Sequence, residues 1–106
     1  MTVKDAAAMV AELGLPFAYH HFAEGESPEP PFVVYLFPGS DNFAADGKVY
    51  FKANELDVEL YTDKKDPALE DRLEHILDDH SLFYQKHESW IESEKMYEVL
   101  YEMEVC

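Results

Sequence analysis

The stretch Asp57-Val-Glu-Leu-Tyr-Thr62, then Asp63-Lys-Lys-Asp-Pro-Ala68, then Leu69-Glu-Asp-Arg-Leu-Glu-His-Ile-Leu-Asp-Asp-His80 decides the fold. It predicts a strand, a short charged loop and a helix. Val58 and Leu60 alternate with Glu59 and Tyr61, the pattern of a half-buried strand. Asp66 is a good N-cap, and Pro67 stands where a first-turn proline is tolerated. Leu69, Leu73, Ile76 and Leu77 then share one helical face over Pro67–His80.

Upstream, Thr2–Leu13 predicts a second helix. Thr2 and Asp5 form a capping box in its aspartate variant, and Gly14 suits the residue after the helix end. Val3, Ala6, Ala7, Val10 and Leu13 share a face, and its alanines let the helix sit close to a sheet. Phe17–Phe22 predicts a strand with Phe17, Tyr19 and His21 on one side. Ala23–Pro31 is proline-rich and acidic, an exposed loop carrying Glu24, Glu26 and Glu29 as candidate assembly contacts. Phe32–Phe37 is continuously apolar, the pattern of a central strand covered on both faces. Pro38-Gly39-Ser40-Asp41-Asn42 is turn chemistry.

Val49, Tyr50 and Phe51 open the next extended segment, which continues through Leu56, Val58 and Leu60 with the apolar parity reversed. A bulge or turn near Ala53-Asn54-Glu55 accounts for the reversal, giving one bent strand or two. Phe83–Ile91 is extended, Glu92–Lys95 is a hairpin turn, and Tyr97, Val99, Tyr101, Met103 and Val105 alternate with Glu98, Leu100, Glu102 and Glu104. The expected fold is α+β: one mostly antiparallel sheet of four to six strands with two helices packed on it, in the order α-β-β-β-(β)-α-β-β. A chain of 106 residues that is 47% hydrophobic makes residues 1–106 one domain with a real core.

Charge is the unusual quantity. With 23 acidic against 8 basic residues the formal net charge is −15. Such a surface repels phosphates and anionic membranes, so no specific nucleic-acid or membrane partner is expected. The apolar runs are too short to span a bilayer, and no secretory signal is expected. The single cysteine, Cys106, excludes an intrachain disulfide and suits a reducing compartment.

No catalytic chemistry is expected. Ser27, Ser40, Ser81, Ser89 and Ser93 lie in no nucleophile motif, the four glycines are isolated, and Cys106 is poorly placed for a base to hold. No metal or cofactor is expected either. On a strand, the adjacent His20 and His21 would point to opposite faces. Asp71, His75 and Asp79 are spaced i, i+4, i+8, which a solvated helix face produces unaided. His80 is a helix C-terminal residue favoured by the dipole, and His87 is an exposed strand residue. The apolar strands offer more surface than two short helices cover, with Tyr35, Tyr97 and Tyr101 as candidate interface aromatics.

Val58-Glu59-Leu60-Tyr61-Thr62, the charged loop, Asp66-Pro67-Ala68-Leu69-Glu70 and the following Leu73 and Leu77 resemble the tail-terminator proteins, also called tail-completion or minor tail proteins, of long-tailed bacteriophages and prophages. The order of elements matches over nearly the whole chain. The resemblance implies a non-enzymatic α+β subunit without a cofactor. It also implies a homo-oligomeric ring, commonly a hexamer, that caps the tail tube and joins it to the head connector. The site would be the bacterial host cytoplasm during virion assembly, then the tail and neck. An alternative from another class is an acidic DNA mimic that inhibits a host DNA-binding protein, on the strength of the charge.

Overall fold

A computed structural model describes residues 1–40, 43–45, 48–51 and 53–106; for 43–45 and 48–51 it describes the backbone path. The elements are α1 (Val3–Ala11), β1 (Phe17–Tyr19), β2 (Phe32–Leu36), β3 (Phe43–Ala45), β4 (Lys48–Phe51), β5 (Asn54–Thr62), α2 (Pro67–Asp79), β6 (Tyr84–Ile91) and β7 (Met96–Val105). Five strands form the main sheet in the order β1-β2-β5-β7-β6. Only β1 and β2 run parallel; the other three pairings are antiparallel. This is the α+β architecture the sequence predicts. β3 and β4 form a separate antiparallel ribbon.

Local chemistry places the helix starts. Thr2 Oγ1 accepts from the Asp5 amide at 3.1 Å while Asp5 Oδ2 accepts from the Thr2 amide at 2.9 Å, a complete capping box. Asp66 Oδ1 accepts from the Leu69 amide at 3.1 Å, one turn inside the helix that Pro67 opens. Gly14 takes φ +78° just beyond α1, a conformation a side chain would strain.

Register then sorts the sheet into two faces. Val33 pairs with Leu60, Tyr35 with Val58, Val58 with Tyr101, and Leu60 with Val99. These side chains share the face on which both helices lie. The core joins them to Ala6, Met9, Val10 and Leu13 from α1 and to Leu69, Leu73 and Leu77 from α2. Ile76 is half-buried at its margin, because it stands at the side of the α2 stripe rather than on its centre line. Among the described residues every buried side-chain nitrogen or oxygen has a hydrogen-bond partner.

Several boundaries differ from the sequence expectation. β1 stops at Tyr19, three residues short, because His20 turns to φ +67° and leaves the ladder. The parity reversal before Leu56 is a strand break: β4 belongs to the ribbon, and β5 begins afresh at Asn54. β2 is second from the sheet edge, yet Phe32, Val33, Val34 and Tyr35 are all buried. Phe22 packs edge-on against Phe32 at 5.3 Å on the face away from the helices, so the segment after β1 covers that end of the sheet. In the Pro38–Asn42 turn, Asp41 and Asn42 lie outside the described residues. No described helix is long and apolar enough to cross a membrane.

Candidate functional site

The sheet face away from the helices carries Glu55, Asp57, Glu59 and Tyr61 on β5 and Glu98, Leu100, Glu102 and Glu104 on β7. Register sets Glu55 opposite Glu104, Asp57 opposite Glu102, and Tyr61 opposite Glu98. Directly opposed like charges destabilise a sheet. Among the described residues no lysine or arginine pairs with Glu55, Asp57, Glu59 or Glu98, and Glu102 meets only a histidine, His87 Nε2 at 3.1 Å. Tyr61 relieves part of the repulsion: its hydroxyl lies 2.7 Å from Glu98 Oε2 and 2.9 Å from Glu59 Oε2.

The electrostatics follow. Asp57 is raised above the ordinary aspartate value by burial, and further by Glu102, Glu55 and Glu98. Glu59 is also raised, by burial first and then by Glu98 and Asp57, against the lowering effect of the Tyr61 hydrogen bond. A groove of about 690 Å³ opens at the Glu55 end, lined by Pro38, Glu55, Asp57, Phe83, Gln85, Glu102, Met103 and Glu104.

The helix side behaves oppositely. Glu70 is only 3% exposed. Lys65 Nζ stands 2.7 Å from its Oε2, and Lys86 Nζ 2.9 Å from its Oε1. Burial alone would raise Glu70, but the hydrogen bonds from Lys65 and Lys86 outweigh it and hold the group below the ordinary value. Glu74 is likewise raised by burial and lowered more by Lys86 at 2.8 Å and by the Tyr101 hydroxyl at 2.7 Å. The sequence pattern placed Leu69, Leu73 and Leu77 but not Glu70, whose burial depends on lysines from the preceding loop and from β6.

These shifts predict a pH profile. Asp57 and Glu59 take up protons in the folded chain before the unfolded one does, so stability rises as pH falls from neutral towards about 4.5. Glu70 and Glu74 do the reverse: the unfolded chain protonates first, and their contribution is lost as pH falls below about 4.5. Urea unfolding across this range should therefore show a maximum at mildly acidic pH. The double variant Asp57→Asn/Glu59→Gln should flatten the acid-side rise. A steady fall from neutral pH in the native chain would contradict the assignment.

The candidate aromatics separate sharply. Tyr101 is 0% exposed and Tyr35 5%, so both are core residues rather than interface residues. Period-two alternation put them on the helix-covered face, where Tyr101 also bonds Glu74 and Tyr35 packs against Tyr19 at 5.3 Å. Tyr97 is half-buried and packs on Trp90 at 4.8 Å. The exposed aromatics lie at the two sheet edges instead: Phe17 and Tyr19 on β1, Trp90 on β6, and Phe83, 83% exposed, just before β6.

Glu24, Glu26 and Glu29 are exposed on the Ala23–Pro31 segment, which contains a turn closed by the Glu26 amide on the Ala23 carbonyl at 2.9 Å and a cis Pro30-Pro31 bond. His75 Nδ1 sits 2.7 Å from the Asp71 carbonyl, one turn back on α2. His80 caps α2 and bonds Glu12 at 2.6 Å. His20 and His21 do not point to opposite faces, because both lie beyond the strand; their Nδ1 atoms meet at 2.9 Å. Cys106 is exposed, and the Met1 amine bonds its carbonyl. Among the described residues no group of three or more His, Cys, Asp or Glu side chains is placed to hold a metal ion. No protein-family model matches the chain, and no curated protein matches it.

Proposed function

We propose that this protein is a non-enzymatic structural subunit of a long-tailed phage or prophage. In this reading it is a tail-terminator-like chain that assembles into a ring, commonly a hexamer, capping the tail tube and joining it to the head connector. It would act in the host cytoplasm during assembly and then in the virion neck. The observation that carries the reading is the pair of unlike sheet edges. β1 and β6 end the sheet on opposite sides, no described strand pairs with their outer edges, and each brings exposed aromatic side chains. Two different, complementary patches on one chain make a heterologous contact, which closes into a ring when the rotation permits. β1 spans three residues, so side chains rather than a long ladder would carry the contact. The resemblance of Val58–Thr62 and Asp66–Glu70 to tail terminators, and the order of elements around them, support the choice of ring.

In such a ring the exposed Glu24, Glu26 and Glu29 segment is an assembly loop that orders against the tube or a neighbour. Deleting Glu26–Pro30 is expected to leave the thermal transition of the domain in place and to reduce the yield of finished tails in a complementation assay. Normal tails from the deletion would reduce the segment to a connector.

A second reading, an acidic DNA mimic, is favoured by the sheet face. Glu55, Asp57, Glu59, Glu98, Glu102 and Glu104 lie along about 20 Å of two paired strands, with at least one carboxylate at each level and levels about 7 Å apart, roughly twice the axial charge spacing of one DNA strand. This reading requires tight binding to a basic DNA-binding protein that weakens with salt.

A further inference from the structure

The histidine pair at the end of β1 has a geometry that the proposed assembly role does not use. The His20 amide donates to the Tyr35 carbonyl at 2.8 Å, and the His21 amide donates to the Tyr19 carbonyl at 2.7 Å. Both backbones are therefore tied to the sheet. His20 holds φ +67°, which removes the strand alternation and lets the two rings meet edge-on, centroids 5.1 Å apart. Their Nδ1 atoms face each other at 2.9 Å, and both side chains are exposed.

We propose that His20 and His21 form a two-nitrogen chelate for a divalent d-block ion, copper(II) or nickel(II) in preference to zinc. Metal–imidazole bonds are about 2.0–2.1 Å long. Two nitrogens in adjacent positions of a tetragonal centre then stand about 2.8–3.0 Å apart, and about 3.3–3.4 Å in a tetrahedral one. In the metal-free chain the 2.9 Å contact is a hydrogen bond, so one Nδ1 carries a proton; on metal binding that imidazole moves its proton to Nε2, leaving both Nδ1 lone pairs free at a spacing that matches the tetragonal case. Tetragonal nitrogen and oxygen donors are the preference of copper(II) and nickel(II), whereas structural zinc sites take four protein ligands. No third His, Cys, Asp or Glu completes the set among the described residues, so water holds the remaining positions and the ion exchanges freely. Ala18, Val34 and Glu59 stand side by side across β1, β2 and β5, so the acidic face of β5 lies two strands from the end of β1 that carries the chelate. That negative potential favours a cation there.

The test is titration of the full chain with copper(II), followed by calorimetry and electron paramagnetic resonance. One equivalent is expected to bind with hyperfine coupling from two imidazole nitrogens. Loss of a group that only holds a metal ligand in place typically costs about 10–100-fold in metal affinity, so removing a ligand in His20→Ala or His21→Ala should weaken binding by at least about tenfold. His87→Ala should leave it unchanged, and circular dichroism should show the same fold in all three variants. Zinc should bind more weakly than copper. Equal copper affinity in the His20→Ala/His21→Ala double variant would overturn the proposal and leave the contact as a hydrogen bond between rings. So would a spectrum with fewer than two nitrogens in the native chain.

Discussion

Replacing Phe83 by glutamate is expected to leave the chain folded and to weaken its self-association by roughly thirtyfold at each contact, the effect of losing a hot-spot residue worth about 2 kcal/mol. Phe83 is 83% exposed and lies outside the core. Surface substitutions of this kind usually change stability by no more than about 0.5 kcal/mol. In an edge-to-edge ring, however, Phe83 at one end of the β6 edge would meet the Phe17–Tyr19 patch of the next copy, while Trp90, about 23 Å further along the strand, would lie outside that contact. A carboxylate there replaces apolar burial with an uncompensated charge in a chain already at −15. Sedimentation velocity of the native chain and the variant, with matched thermal transitions, measures the effect. Association unchanged by Phe83→Glu would remove the β6 edge from the interface.

Leu73→Ala is expected to cost about 2–5 kcal/mol of folding stability. Leu73 is 1% exposed and stands between Leu69 and Leu77 in the α2 stripe that packs on the sheet. Truncation removes a buried isobutyl group and leaves a cavity that the neighbouring strand residues fill only partly. With a typical stability of about 5–15 kcal/mol for a domain, the variant would be largely unfolded in mild denaturant. Urea unfolding of the monomer at low protein concentration separates this loss from any effect on assembly. A cost below about 1 kcal/mol would place Leu73 outside the well-packed core.

How much the sequence reveals depends on how local the signal is. The β5–α2 unit was legible because Asp66, Pro67 and the leucine spacing each act within one or two turns. The capping box of Thr2 and Asp5 and the alternation of β7 were legible for the same reason. β3 was not: Phe43-Ala-Ala is too short to carry a period, and its ladder is made only with β4. Alternation says which residues share a face but not which face the helices cover. That is why Tyr35 and Tyr101 read as interface aromatics and are core residues, while the exposed Phe83 and Trp90 passed unnoticed. The carboxylates of β5 and β7 were visible as the polar side of each strand. Their cross-strand opposition, Glu55 with Glu104 and Asp57 with Glu102, is a property of register and so of tertiary structure. The histidine pair escaped because the alternation rule ends where the strand does, and His20 is the residue that leaves it.

Charge should also govern assembly itself. Bringing together several copies of a −15 chain is opposed by repulsion that salt screens over about 10 Å at 0.1 M. The most direct measurement of the ring proposal is therefore mass photometry or sedimentation across protein concentration at low and high salt. The account predicts monomers or weak oligomers at low salt and a shift to one closed oligomer as salt or concentration rises. A chain that stays monomeric at every salt and concentration, does not assemble on tail tubes, and instead binds a DNA-binding enzyme tightly with affinity that falls as salt rises, would contradict it.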